Sequence, residues 1–389
     1  MASPTDTTQQ KAAFEELDPA AFRREVDSGD AVVLDTREPH EHAEAHIAGS
    51  ELVPPSEVAA RIDELAPDTG QRVVLYCRSG NRSHKGAEEL STLGYTNLAH
   101  LGGGILAWQE QGQPVVEPEG MTPEQRMRYS RHTLLPEIGV EGQLKMLNSK
   151  VLLIGAGGLG SPSALYLAAA GIGTLGIIDD DVVDESNLQR QVIHTTDRIG
   201  TPKTESARIQ IEALNPDVEV VEYRERISAE NILDVIADYD VIVDGVDNFP
   251  TRYLLNDASV RLRKPVVSAS ILAFDGQIST FAPFEGPCYR CLYPTPPPPE
   301  MAPSCGAAGV LGVMAGVMGL LQANEVIKLV AGIGEPLIGR LLLYESLGTR
   351  FTELKVRRDP DCPICGENAP EIPPEEMGKF PDYELFCAR

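Results

Sequence analysis

Two short apolar runs near the front of the chain, residues 31–38 (AVVLDTRE) and 72–80 (RVVLYCRSG), are each closed at once by charged or turn-forming residues. Runs of this length between turn signals predict buried strands. Between and after them the period changes. Residues 83–94 (SHKGAEELSTLG) carry apolar positions at helical spacing and end on a glycine stop. Strand and helix alternating in this way predict a small α/β domain with a parallel sheet. Residues 110–120 (EQGQPVVEPEG) lose the periodicity and read as a linker. A second α/β domain then opens with helical TPEQRMRYSRHTLLPEIG and continues KVLLIGAGGLGSPSALYLAAAGIGTLGIIDDD, which is strand, glycine loop, small-residue helix, strand. Residues 307–321 are the longest greasy run. They stop at Gln322, Asn324, Glu325 and Lys328, short of the roughly 18 residues of a membrane span, and predict a buried helix. The Pro- and Glu-rich stretch after Glu367 reads as a loosely ordered tail, and no internal repeat is visible.

Composition narrows the function. A chain of 389 residues calls for two or three domains, and 42% apolar residues suffice for real cores. The 58 acidic side chains against 33 basic ones give a net charge of −25, which disfavours direct binding to nucleic acid or to an anionic membrane. The polar start MASPTDTTQQKAAFEELD is unlike a signal peptide, so the expected location is the cytoplasm. Seven cysteines, four of them in two C-x-x-C pairs, suggest metal and thiol chemistry in a reducing compartment.

Cys77 follows a predicted strand, and its loop of Gly, Ser and Arg runs into a helix. A thiolate there is stabilised by backbone amides, by the helix N-terminus, and by Arg78 and Arg82. A phosphatase loop wants arginine six positions after the cysteine. Here the sixth position is Ser83 and arginine comes at the fifth, Arg82, so a persulfide fits better. The segments LDTREPHEHAEAHIAGS, CRSGNRS and LGGGILAW resemble a rhodanese domain over residues 15–117. The resemblance implies that Cys77 carries the persulfide, held by loop amides and Arg82. His40, His42 and His46 fall inside the same resemblance and read as hydrogen-bonding surface and loop residues, not a metal site.

Gly155, Gly157 and Gly160 form G-x-G-x-x-G between a strand and a helix, the context in which backbone approaches a phosphate. Asp179 closes the next strand and is placed to accept from ribose hydroxyls. That much equally fits an NAD-dependent dehydrogenase. The following Asn187, Arg190, Lys203, Asp247 and Asn248 favour nucleotidyl transfer, where cations stabilise phosphoryl charge and an Asp holds Mg²⁺. The series RYSRH, GAGGLGS, IIDDDVVDESNLQRQ, GTPK and VDNFPTR resembles a MoeB/ThiF-type adenylyltransferase, a relative of ubiquitin-activating enzymes, over residues 121–366. That resemblance puts Gly158 in the phosphate loop and Asp179 on the ribose. It makes Ser186, Asn187, Leu188, Gln189 and Arg190 the nucleotide segment, sets Lys203 on phosphate and Asp247 on Mg²⁺, and leaves Asn248 beside it. Arg131 would reach the ATP of a neighbouring subunit, implying a homodimer.

Cys288 and Cys291 with Cys362 and Cys365 form two knuckles, a strong signal for a structural tetrahedral Zn²⁺. Cys305 precedes a helix, which lowers a thiol pKa, and in fused relatives a cysteine here handles the activated carrier. Cys387, in the tail of residues 367–389, belongs to no motif and reads as a bystander. The expected activity is ATP-dependent adenylylation of the C-terminal Gly-Gly carboxylate of a ubiquitin-like sulfur carrier, followed by sulfur transfer from Cys77 to give a thiocarboxylate. Cysteine desulfurase or thiosulfate would supply the sulfur, and Cys305 would release the product. Molybdopterin, thiamine, cysteine and tRNA-thiolation routes share this chemistry. The alternatives are a rhodanese domain serving a separate sulfurtransfer, and a Rossmann oxidoreductase. Better-known fusions place rhodanese after the adenylyltransferase. Here it comes first, so transfer across a dimer is an open route.

Overall fold

A computed structural model describes residues 14–117, 120–296, 309–370, 372–383 and 387, so Cys305 lies outside the described residues. The chain divides into two compact units, Met1–Val140 and Glu141–Arg389.

The first unit is a five-stranded parallel sheet in the order β1-β5-β4-β2-β3, with β1 Glu15–Leu17, β2 Val32–Asp35, β3 Glu51–Leu52, β4 Val73–Tyr76 and β5 Leu98–Leu101. The central strand β4 is buried throughout, which is why its sequence is apolar without alternation. One face packs on Phe22, Ile105 and Trp108, the other on Leu34, Ala87 and Leu90. Part of the expected linker is not free. Trp108 Nε1 donates to the Pro114 carbonyl at 2.9 Å, and Val116 exchanges backbone hydrogen bonds with His46 at 2.7 and 3.0 Å. The buried indole needs an acceptor, and the Pro-containing turn provides one.

The second unit holds an eight-stranded mixed sheet: β6 Lys150–Ile154, β7 Thr174–Ile178, β8 Glu219–Tyr223, β9 Val241–Asp244, β10 Val266–Leu272, β11 Asp275–Phe281, β12 Arg340–Glu345 and β13 Arg350–Lys355. The order is β13-β12-β11-β10-β9-β6-β7-β8. From β8 to β10 it is parallel, and from β10 to β13 antiparallel. Strand β6 lies between β7 and β9, so the order reverses there, and Ile154 is in register with both Ile178 and Asp244. Three loops therefore leave the carboxyl ends of these strands side by side, where open α/β sheets bind ligands.

The greasy helix spans Gly312–Ala331, starting later and ending later than its apolar run suggests, and is long and apolar enough to cross a membrane. It packs instead on the helix Gly160–Ala170 and on β9, β10 and β11. Its polar residues have partners there. Gln322 Nε2 donates to the Asp244 and Val267 carbonyls at 2.8 and 3.0 Å, and Glu325 Oε2 accepts from Thr280 Oγ1 and the Leu337 amide.

The described part of the tail is docked, contrary to the loose tail its composition suggests. Arg261 stacks on Phe380 with 3.9 Å to the ring centre, and Tyr383 donates to Asp257 Oδ2 at 2.7 Å. These partners lie on the helix Phe249–Leu262, more than a hundred residues earlier, beyond the reach of any local sequence pattern.

Candidate functional site

In the first unit, β4 delivers Cys77 into the turn before the helix Asn81–Thr92. Its sulfur is buried and accepts from the Gly80 amide at 3.2 Å and from Ser83 Oγ at 3.5 Å. The following glycine segment clamps this loop: Ile105 N donates to the Cys77 carbonyl at 2.8 Å, and Leu106 N to that of Arg78 at 3.2 Å. Gly104 must be glycine. Its φ is +63°, and a Cβ there would stand 2.4 Å from the Cys77 oxygen. Arg82 does not bond the thiol. Its guanidinium grips Glu41 through two hydrogen bonds of 2.7 Å, although its pKa, raised first by those bonds, also responds to the Cys77 charge. Arg78 is exposed beside the loop.

The three histidines behave as hydrogen-bonding residues where they are engaged. His42 Nδ1 meets Asp35 Oδ2 at 2.9 Å, and the His46 ring stacks on His42 at 4.0 Å. Sequence reasoning missed the network behind them. Asp35, fully buried, accepts from Arg37 at 2.6 and 2.8 Å and from the Tyr76 hydroxyl at 2.8 Å. Tyr76 immediately precedes Cys77, so this buried ion pair braces the root of the sulfur loop. The available signal was charge closing a buried strand in VVLDTR.

In the second unit a cleft of about 1630 Å³ opens at the strand ends. Its lining brings together Gly155, Gly157, Gly158, Asp179, Arg190, Lys203, Asp247 and Asn248. Gly160 stands behind the loop at the helix start, where a Cβ would meet the Gly155 carbonyl oxygen at 2.0 Å. The N–H groups of Gly157 and Gly158 donate to no acceptor among the described residues, leaving two donors free at a helix N-terminus. Asp179 is held on both oxygens, by the Ala156 amide at 2.8 Å and the Asp181 amide at 2.9 Å. Burial pushes its carboxyl up, and the Lys203 charge pulls the other way.

Lys203 is buried with its ammonium 2.7 Å from Asp181 Oδ2. Arg190 Nη2 donates to Asn187 Oδ1 at 2.8 Å, so Asn187 orients the arginine. Ser186, Leu188 and Gln189 stand off the cleft. Ser186 Oγ bonds Asp184 at 2.5 Å, Leu188 is half-buried, and the Gln189 carbonyl faces Gly312. Asp247 is exposed on the cleft, and Asn248 caps the helix Phe249–Leu262. Arg131 lies exposed on the short helix Ser130–Thr133 of the first unit.

Two buried residues of this site were not foreseen. Arg252, in the cleft lining, donates to the Val246 and Ala269 carbonyls at 2.8 Å. His194 bonds Ser206 Oγ and the Ala156 carbonyl at 2.9 and 3.0 Å. The first sits in VDNFPTR and the second in QRQVIH, close to residues already singled out.

The four knuckle sulfurs converge, with Sγ–Sγ separations of 3.4, 3.6 and 3.8 Å for three of the pairs. A tetrahedral zinc with Zn–S bonds of about 2.3 Å separates its sulfurs by about 3.8 Å, so the four cysteines fit that ion. Among the described residues the other cluster of candidate ligands is Asp179, Asp180 and Asp181, beside the cleft. Cys387 is half-buried in the cleft lining, a position its tail sequence did not suggest.

Residues 129–364 match the ThiF family, and residues 18–111 match the rhodanese-like domain. The chain is 48% identical over 271 residues to a sulfur carrier protein adenylyltransferase of Thermus thermophilus, covering 68% of this chain and 98% of the relative. It is 48% identical over 286 residues to the adenylyltransferase and sulfurtransferase MOCS3-1 of Zea mays, covering 73% of this chain but 61% of that longer relative. Among solved structures, the complex of E. coli MccB with AMPCPP and MccA superposes with a TM-score of 0.55 at 26% identity, covering 63% of this chain and 77% of MccB.

Proposed function

This chain belongs to the ThiF family, and from that premise we propose that it adenylylates the C-terminal Gly-Gly carboxylate of a ubiquitin-like sulfur carrier and then transfers sulfur to it. One observation carries the reading: a glycine cradle with free amide donors, a buried lysine, an oriented arginine and an exposed aspartate share one cleft. A hydride-transfer enzyme has no use for that charge set, and the oxidoreductase alternative falls away with the family.

The carrier's terminal carboxylate attacks the α-phosphorus of ATP, forming an acyl-adenylate and releasing pyrophosphate. The amides of Gly157 and Gly158 with Lys203 and Arg190 stabilise the charge that develops on the phosphates. Asp247 would hold Mg²⁺, whose charge offsets that of the triphosphate. Asp179 orients the ribose. In the second step the terminal sulfur of a persulfide on Cys77 attacks the acyl carbon, AMP departs, and an acyl disulfide joins carrier and enzyme. The Gly80 amide and Ser83 hydroxyl stabilise the sulfur anion. A second thiol, assigned to Cys305, then attacks the Cys77 sulfur, the thiocarboxylate departs, and the Cys77–Cys305 disulfide left behind is reopened by an external dithiol before the next cycle. A desulfurase or thiosulfate reloads Cys77, and Arg131 completes the site of a second copy in a homodimer.

The test separates the halves. Asp247→Ala should abolish carrier-dependent ATP–pyrophosphate exchange while thiosulfate:cyanide sulfurtransfer continues, and Cys77→Ser should do the reverse. Exchange that survives in Asp247→Ala, or sulfurtransfer that survives in Cys77→Ser, overturns the assignment. Mixing Cys77→Ala and Asp247→Ala chains reads the dimer: thiocarboxylate returns only if sulfur crosses between subunits.

A further inference from the structure

We propose that His194 is a positioning residue for the nucleotide: it fixes the peptide plane between Ala156 and Gly157 so that the Gly157 N–H faces the phosphates. The proposal rests on the adenylylation reading above. His194 is buried behind the glycine loop, with Nε2 3.0 Å from the Ala156 carbonyl oxygen and Nδ1 2.9 Å from Ser206 Oγ. A carbonyl oxygen only accepts, so Nε2 carries the proton and Nδ1 accepts from the serine hydroxyl. Ser161 Oγ stands 3.3 Å from the same carbonyl as a second donor. The Ala156 oxygen is thus held from two sides, and the peptide cannot easily flip.

The orientation of the neighbouring donor follows. The peptide bond is trans, so the Gly157 N–H points opposite to the Ala156 C=O. That carbonyl faces the buried imidazole, Gly157 lines the cleft, and its N–H has no protein acceptor among the described residues. A hydrogen bond to an amide oxygen also polarises the amide and strengthens its N–H as a donor. The preceding N–H, that of Ala156, is already committed to Asp179 at 2.8 Å. Two successive amides are therefore divided, one holding the carboxylate assigned to the ribose and the next left for phosphate. Ser206 lies one turn along the helix Lys203–Leu214, so the same imidazole also joins the glycine loop to the helix that carries Lys203.

The experiment compares two ligands on the zinc-loaded full chain, the α,β-methylene analogue of ATP and adenosine, by calorimetric titration. His194→Leu removes the donor and should weaken the analogue by about tenfold or more, the scale of a misdirected hydrogen bond to a charged group, while adenosine changes by less than about threefold. His194→Gln, whose amide nitrogen reaches close to the Nε2 position, should hold the analogue within about threefold of wild type. His194→Asn is too short and should follow His194→Leu. Equal losses for both ligands would show a merely structural role and overturn the proposal, as would an unweakened analogue in the Leu and Asn variants or a Gln variant as weak as Leu. If His194→Leu does not fold, the Asn and Gln pair decides, and failure of all three to fold makes His194 a stability residue and sinks the idea. Wild-type protein that binds neither ligand removes the adenylylation reading itself, whereas wild-type binding with indifferent variants removes only the role of His194.

Discussion

Gly104→Ala is the sharpest probe of the sulfur loop. The added methyl group would lie 2.4 Å from the Cys77 oxygen and 2.6 Å from the carbonyl carbon and oxygen of Arg78, where ordinary contact begins at 3.4 Å. Relief requires the loop to retreat by 3.4 − 2.4, about 1 Å, which breaks the 2.8 Å bond from Ile105 N to the Cys77 carbonyl. A φ of +63° adds about 1–2 kcal/mol for any residue with a Cβ. The displaced carbonyl belongs to the residue that bears the sulfur, and a misplacement of about 1 Å passed on to reacting groups costs about 100-fold in rate. Thiosulfate:cyanide sulfurtransfer should therefore fall about 100-fold, while carrier-dependent ATP–pyrophosphate exchange, housed in the other unit, stays at the wild-type rate. Gly49→Ala is the matched control. Its φ is +77° with nothing within 4 Å of the added methyl, so it bears the backbone cost without the collision. Sulfurtransfer in Gly104→Ala equal to that in Gly49→Ala would refute the clamp.

Chelating the metal should unfold the second unit and spare the first. Structural zinc binding is worth about 10–16 kcal/mol in small sites, as much as a whole domain's stability. Calorimetry should show one thermal transition lost while sulfurtransfer persists, and an unchanged melting profile would refute a structural zinc. His194 predicts an acid-side loss of stability. Burial, joined by the Lys203 and Arg198 charges and opposed by the Ala156 hydrogen bond, pushes its pKa down to about 4 from 6.5. The unfolded chain therefore takes up a proton that the folded one refuses between those values. The contribution is complete above about pH 6.5 and lost as pH falls towards 4, up to about 3 kcal/mol. Urea unfolding of wild type and His194→Gln should diverge across that window, and parallel pH profiles would refute it.

What the sequence made legible is what neighbouring residues decide among themselves. The apolar runs of β4 and β6, the glycine loop and the paired knuckles each carry their chemistry within a few positions. The rest depends on partners far along the chain. Arg82 reads as a ligand of the thiol from its place in CRSGNRS, yet Glu41 claims it across 41 residues. Arg252 and His194 look like ordinary helix and loop residues until the fold sets them under the cleft. The tail failed for the same reason, since composition says nothing of Asp257 or Arg261 waiting on another helix.

The helix Gly312–Ala331 has a consequence for biogenesis. By hydropathy it would be a hazard on a ribosome, a stretch ready to stick to lipid or to its own kind. Yet the helix Gly160–Ala170 and strands β9, β10 and β11, on which it rests, all precede it in the chain. Synthesis from the amino end prepares the berth before the occupant emerges, and the interval in which that surface is naked is short.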